Sequence, residues 1–147
     1  MLRVPLHQLD AELPVPRYAR EGDAGADLLA RSDVTLARGG GRAIVPTGVA
    51  VAIPVGYAGL VVPRSGLAAR HGVTCLNAPG LVDAGYRGEL MVVLVNHDPE
   101  RDYEVSRGDR IAQLVLVRVE QAGFELVPEA GLGTSERGSG GFGHTGT

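Results

Sequence analysis

The segment Gly80-Leu81-Val82-Asp83-Ala84-Gly85-Tyr86-Arg87-Gly88-Glu89-Leu90 sets one carboxylate, Asp83, between a Pro79-Gly80 turn and a glycine-flanked tyrosine, Tyr86. Glycines allow positive φ and let backbone approach a ligand closely. The apolar run from Leu90 to Val95 that follows has strand length. This layout reads as a tight β-hairpin holding an acid and an aromatic ring at its edge. A second segment, Pro63-Arg64-Ser65-Gly66-Leu67, groups an arginine, a hydroxyl and the first amides of a short helix. Those are the components of an anion site. A third, Arg107-Gly108-Asp109-Arg110-Ile111-Ala112-Gln113-Leu114, places Gln113 among apolar strand residues, where an amide side chain needs a polar partner. Asp27, in Asp23-Ala24-Gly25-Ala26-Asp27-Leu28, reads by itself as a turn acid.

The elements that position these residues follow from composition. The 147 residues fit one domain, and 22 glycines with 9 prolines fit many short strands joined by tight turns rather than a helical bundle. Aromatic residues make up 4% and tryptophan is absent, so the core is built from Val, Leu, Ile and Ala. Strands are expected at Leu2–Leu9, Ala43–Ile53, Ala58–Val62, Leu90–Val95 and Ile111–Val119, with turns at Leu13–Pro16, Asp98-Pro99 and Arg107–Asp109. In the last strand, alternation sets Ile111, Gln113 and Val115 on one face and Ala112 and Leu114 on the other. Ser65 to His71 is the one helix expected, with Ser65 as N-cap and Gly72 after it. Gly131 to Thr147 holds seven glycines and cannot pack a core. It reads as a flexible arm, 131–147, on an all-β domain, 1–130.

Charge and cysteine usage narrow the function classes. The formal charge of −3 argues against a general nucleic-acid surface. All fourteen basic residues are arginine, so Schiff-base and P-loop lysine chemistry are excluded, and a phosphate held by a cationic side chain is held by arginine. The single cysteine, Cys75, excludes an intrachain disulfide and a Cys-based zinc site. Neither a signal-peptide run nor a stretch long enough to span a membrane is present, so a cytoplasmic, soluble protein without membrane partners is expected.

These segments, in this order, resemble the motifs of the trimeric dUTPase family. The first motif is Gly25–Leu28, the second Pro63–Leu67, the third the Asp83 hairpin, and the fourth Arg107–Leu114. The fifth is Arg137-Gly138-Ser139-Gly140-Gly141-Phe142-Gly143. The resemblance implies a distorted jelly roll, a homotrimer with sites shared between subunits, and hydrolysis of dUTP to dUMP and pyrophosphate. It assigns Asp83 as the general base that activates water for in-line attack on the α-phosphorus. Asp27 holds magnesium through water, and Arg64, Ser65, Gly66 and Gln113 contact the phosphates. Tyr86 lies against the deoxyribose and excludes a 2′-hydroxyl, Asn77 reads the uracil edge, and Val82 and Met91 add substrate contacts. Arg137 meets the γ-phosphate, Phe142 stacks over uracil and Gly143 completes the arm. Closing such an arm excludes water. One position departs from the pattern: His144 stands where the family commonly has serine, which is expected to weaken or replace a hydroxyl contact to phosphate.

Two other readings use the same scaffold. A dCTP deaminase needs a general acid–base at the pyrimidine C4, and Glu89 is the only nearby acid, placed after Gly88 as hairpin structure. A non-catalytic nucleotide sensor is expected to lack the water-activating acid, and Asp83 is intact.

Overall fold

β-branched and leucine-rich runs interrupted by glycine and proline produce short strands, and the chain has ten of them in its described part. The computed structural model describes residues 2–140. In chain order the strands are β1 (Leu6–Gln8), β2 (Gly25–Leu29), β3 (Val34–Leu36), β4 (Arg42–Val51) and β5 (Tyr57–Pro63). After the helix α1 (Ser65–His71) come β6 (Val73–Cys75), β7 (Gly80–Val82), β8 (Glu89–Asn96), β9 (Tyr103–Val105) and β10 (Arg110–Arg118). One four-stranded sheet has the order β1-β4-β8-β6 and the other β2-β10-β5-β7, while β3 and β9 form a two-stranded ribbon. Every pairing is antiparallel, and the two larger sheets make a distorted jelly roll.

The interior lies between those sheets. Leu28, Leu36, Val45, Val73, Leu90, Val92, Leu94, Val105 and Ile111 are each at most 2% exposed. Burial of one such side chain contributes about 1.5–3 kcal/mol. Cys75 belongs to this core, and burial pushes its thiol up to about 11. Asn96 is also buried, and its amide donates to the Leu36 and Arg101 carbonyls while its oxygen accepts the Asp98 amide.

Several expectations are revised. The opening strand spans only Leu6–Gln8, and β2, β3, β6 and β9 are additional to those expected. β7 pairs with β5, whereas β8 pairs with β4 and β6. The Asp83 segment is therefore a loop crossing from one sheet to the other rather than a hairpin within one sheet. Ser65 is the first helical residue rather than the cap. Arg64 occupies the N-cap with φ −91° and no side-chain bond to the helix, and Gly72 ends the helix at φ 63°. In β10 the register shifts between Arg110 and Ala112, so Ile111 is a bulge residue, and Ile111 and Ala112 are both buried.

The β structure ends at Arg118. Beyond it Phe124 and Leu126 are fully exposed, and a 3₁₀ turn, Glu129–Leu132, spans the expected domain boundary. Among the described residues no helix is long and apolar enough to cross a membrane.

Candidate active site

Two groups of the expected residues assemble, at opposite ends of β5. The first forms around Asp27. β2 and β10 pair so that Asp27 lies opposite Gln113, and Gln113 Nε2 donates to Asp27 Oδ1 at 3.2 Å. Gly25 makes room for that amide, because a Cβ there would stand 3.0 Å from Gln113 Cβ. Arg64 Nε lies 3.5 Å from Asp27 Oδ1, and Arg110 Nη1 lies 3.4 Å from Oδ2. Arg64 also donates from Nη1 to the Arg110 carbonyl at 3.2 Å. Asp27 and Arg110 line a groove of about 530 Å³ together with Arg17 and Tyr18. Ser65 and Gly66 follow Arg64 at the start of α1, and Ser65 is exposed.

The corner leading into β10 is braced by acids. Asp109 accepts the Ser106 amide at 2.9 Å, and Gly108, at φ 91°, donates to the Ala30 carbonyl at 2.8 Å. Arg107 makes a forked contact to Asp10, at 2.5 and 3.0 Å, and reaches Glu12 at 3.2 Å. The Arg107 bond to Asp10, with help from the Glu12 amide and Arg31, lowers that carboxyl to about 2. Asp109 thus supports the corner as a structural residue, whereas the Arg110 side chain faces Asp27.

The second group surrounds Asp83. Leu81, Val82, Asp83, Tyr86, Leu90 and Met91 line a cavity of about 190 Å³. Asp83 is exposed, and Tyr86 and Met91 are 44% and 45% exposed. The Tyr86 hydroxyl donates to the Glu89 carbonyl at 2.8 Å, which folds the ring over Gly88, where a Cβ would come 2.7 Å from Tyr86 Cζ. Arg87 Nη1 donates to the Ala84 carbonyl at 2.6 Å and to the Tyr86 carbonyl at 2.7 Å, tying the loop to itself. Asn77 is exposed, with its amide nitrogen 3.2 Å from where a Gly80 Cβ would stand. Glu89 is committed to structure: its Oε1 accepts the Gly48 amide at 2.7 Å and its Oε2 lies 3.3 Å from Arg31.

The register gives the spacing between the groups. Val82 pairs with Gly59 near the start of β5, while Arg64 follows Pro63 at its end. At about 3.3 Å per strand residue, Asp83 and Arg64 lie roughly 15–20 Å apart along one chain. Arg137 joins neither group and donates from Nε to the Gly140 carbonyl at 2.8 Å. Phe142, Gly143 and His144 lie outside the described residues.

The donor set fits magnesium. That ion takes one or two carboxylates and completes its shell with phosphate and water. Asp27 supplies one carboxylate in the groove, and among the described residues no three His, Cys, Asp or Glu side chains gather into a metal cluster, so phosphate and water would complete the shell. What sequence reasoning missed here is the aim of Arg110 and the space-making of Gly25 and Gly88. The glycines were visible signals, whereas the bulge that turns Arg110 was not.

Comparison with known proteins identifies the family. The family model described as dUTPase matches residues 11–146. The deoxyuridine 5'-triphosphate nucleotidohydrolase of Thermobifida fusca is 60% identical over 145 residues, 99% of this chain and 79% of that protein. The protein of the same name from Corynebacterium glutamicum is 53% identical, covering 97% of this chain and 94% of its own length. Among solved structures, the Staphylococcus bacteriophage 80alpha dUTPase with dUpNHpp superposes with a TM-score of 0.87 at 29% identity over the whole of both chains. A mutant dUTPase from phage phi11 of S. aureus, described as revealing the coordination of a structural Mg(II) ion, gives 0.76 at 25% identity over 87% of this chain and 98% of that one. The chain belongs to the dUTPase family.

Proposed function

We propose that the protein is a dUTP diphosphatase that converts dUTP to dUMP and pyrophosphate, with Asp83 activating the attacking water. The observation that carries this reading is the company of Asp83: an exposed carboxylate at the rim of a small apolar cavity walled by the Tyr86 ring and Met91. Such a cavity suits a flat pyrimidine and its sugar. Asp83 takes a proton from water as the water oxygen bonds to the α-phosphorus. The bond from that phosphorus to the α–β bridging oxygen breaks on the opposite side, and pyrophosphate leaves. A general base in this position contributes about 10²–10⁴-fold.

Selection follows from the same walls. Tyr86, held over Gly88 by its bond to the Glu89 carbonyl, fills the space a 2′-hydroxyl needs. Asn77 and loop backbone groups read the uracil edge, and cytosine presents an amino group where uracil has a carbonyl, leaving a donor mismatch. Val82 and Met91 pack against the nucleoside.

Arg64, Ser65, the Gly66 amide and Gln113 bind the phosphates, and Arg137 with Phe142 and Gly143 closes over them. Asp27 would hold magnesium, which when bound would supply neutralisation of the charge that builds on the leaving pyrophosphate. The two residue groups lie too far apart along one chain to touch one triphosphate, which favours a site shared between copies. The fully exposed Phe124 and Leu126 also favour an assembly that covers them. The threefold form of that assembly follows from the family resemblance. The substrate is a free nucleotide, so the enzyme acts where nucleotides are pooled, in the cytoplasm, limiting uracil in DNA and supplying dUMP for dTMP synthesis.

The test is pyrophosphate release from dUTP, dCTP, dTTP and UTP with magnesium, comparing wild type with Asp83→Asn. Fast release from dUTP alone, lost in the variant, is expected. A folded wild type that releases nothing from dUTP would overturn the reading and favour a nucleotide sensor.

A further inference from the structure

We propose that Glu89 is a positioning residue for sugar selection: its carboxylate, seated in a bulge of β4, fixes the floor on which the Tyr86 ring lies. The proposal rests on the reading of Tyr86 as the wall against a 2′-hydroxyl and deepens it. It begins in β4. Pro46 pairs with Met91 of β8 and Ala50 pairs with Glu89, so Thr47, Gly48 and Val49 stand against Leu90 alone. Such a bulge leaves backbone groups without a ladder partner. Two side chains supply partners. The buried Thr47 hydroxyl donates to the Leu90 carbonyl at 2.7 Å. The Gly48 amide, buried and at φ 76°, donates to Glu89 Oε1, also at 2.7 Å. A buried amide requires an acceptor, and a carboxylate at this distance is a strong one.

The carboxylate is itself held. Arg31 Nη1 lies 3.4 Å from Oε1 and 3.3 Å from Oε2, and the Glu89 side chain is 20% exposed. Arg31 is fixed in turn. Its amide donates to the Pro46 carbonyl at 2.8 Å, its Nη2 reaches the Leu9 carbonyl at 3.4 Å, and its Nε lies 3.4 Å from Asp10. Glu89 thus ties the start of β8 to β4 through a side chain, at the point where the backbone ladder is interrupted.

The backbone of Glu89 carries that hold to the ring. Its carbonyl accepts the Tyr86 hydroxyl at 2.8 Å. The ring lies on the preceding residue, Gly88, where a Cβ would come 2.7 Å from Tyr86 Cζ and 3.1 Å from Cε2. Within the loop, Arg87 donates to the Ala84 and Tyr86 carbonyls, and the Tyr86 amide donates to the Asp83 carbonyl at 3.1 Å. Those bonds close the loop on itself. Its hold on the sheets is at its two ends, Val82 paired with Gly59 and Glu89 paired with Ala50. The Glu89 end is the one beside the ring. Loss of the hydroxyl bond alone leaves the ring seated on Gly88, whereas a shift of Gly88 moves the whole ring.

The experiment measures kcat/KM of the full chain for UTP and for dUTP with magnesium, with melting temperatures alongside. Wild type, Glu89→Ala, Glu89→Asp, Glu89→Gln, Tyr86→Ala and the Glu89→Ala/Tyr86→Ala double variant are compared. A substitution that only lowers the folded fraction reduces both rates equally and leaves their ratio unchanged. In Glu89→Ala the UTP-to-dUTP ratio is expected to rise about 3- to 10-fold, less than in Tyr86→Ala, because a misplaced wall still discriminates in part. Glu89→Gln keeps an acceptor for the Gly48 amide and is expected to recover most of the selectivity. In the Tyr86→Ala background Glu89→Ala is expected to add nothing, since no wall is left to displace. A folded Glu89→Ala with the wild-type ratio, or an equal rise in both backgrounds, would overturn the proposal while the Tyr86 wall stands. If wild type turns over neither nucleotide, or Tyr86→Ala leaves the ratio unchanged, the reading beneath fails and takes this proposal with it. Should Glu89→Ala fail to fold, Glu89→Asp decides. It keeps the charge but falls one methylene short of the Gly48 amide, and a wild-type ratio there overturns the proposal.

Discussion

Gln113 and Asp27 stand directly opposite one another on β10 and β2, and their side chains meet because the residue two before Asp27 on the same strand face is a glycine. A cross-strand pair of this kind is the unit by which one strand positions another's functional group. Here the pair ties the fourth motif to the first, and Gly25 is the space that lets Gln113 lie flat enough to reach Oδ1 at 3.2 Å.

Gly25→Ala tests that relationship. The new methyl would meet Gln113 Cβ at 3.0 Å and Cδ at 3.2 Å, so the amide must move off Asp27. Overpacking at a half-buried site costs about 1–3 kcal/mol. The expected result is a modest fall in melting temperature with a larger loss of kcat/KM for dUTP and a weaker response to magnesium. A variant with wild-type kcat/KM and magnesium dependence would show that the Gln113–Asp27 contact is dispensable.

The motifs were legible in the chain because chemistry constrains residue type at fixed spacing, and the long apolar runs that became β4, β5, β8 and β10 carried their own signal. The three-residue strands β3, β6 and β9 were not legible, since so few residues hold no measurable alternation and form only when neighbours supply a partner edge. The Asp83 segment read as a hairpin because its turn chemistry is local. Its strands separate into different sheets because β5 and β4 compete for them, which is a tertiary preference. The bulge at Ile111 left no mark either, and with it went the true direction of Arg110. Ser65 looked like a cap because serine favours that position, yet the backbone places Arg64 there.

Sugar discrimination depends on the fold of Tyr86 over Gly88. Tyr86→Ala opens the wall, and UTP turnover relative to dUTP is expected to rise by roughly 10- to 100-fold, the range over which a lost steric contact changes selectivity. Tyr86→Phe removes only the bond to the Glu89 carbonyl and keeps the ring. It should retain most of the discrimination, measured as the ratio of kcat/KM for the two nucleotides. Equal ratios in Tyr86→Ala and wild type would place the selectivity elsewhere.

Acid should loosen the corner that carries Arg110. Asp10 is lowered from its ordinary 3.8 to about 2, chiefly by its bond to Arg107. A carboxyl depressed in the folded state contributes stability in full above its unfolded value and loses it as pH falls through the folded one. The contribution therefore fades between about pH 4 and pH 2. Thermal melts of wild type and Asp10→Asn are expected to differ at pH 5, with wild type the more stable, and to converge by pH 2. A gap that stays constant across that window would assign the effect of the substitution to packing rather than charge.

Sharing of the site between copies has a quantitative signature. Asp83→Asn and Arg64→Ala each disable one group and leave the other intact, so each alone should be inactive. If Asp83 and Arg64 of one site come from different chains, an equal mixture of the two variants, assembled at random, restores about one site in four. If both come from one chain, no site regains the pair and the mixture stays inactive. Co-refolding the variants and measuring pyrophosphate release therefore separates the two arrangements. The roughly 15–20 Å that the strand rise sets between Asp83 and Arg64 predicts recovery.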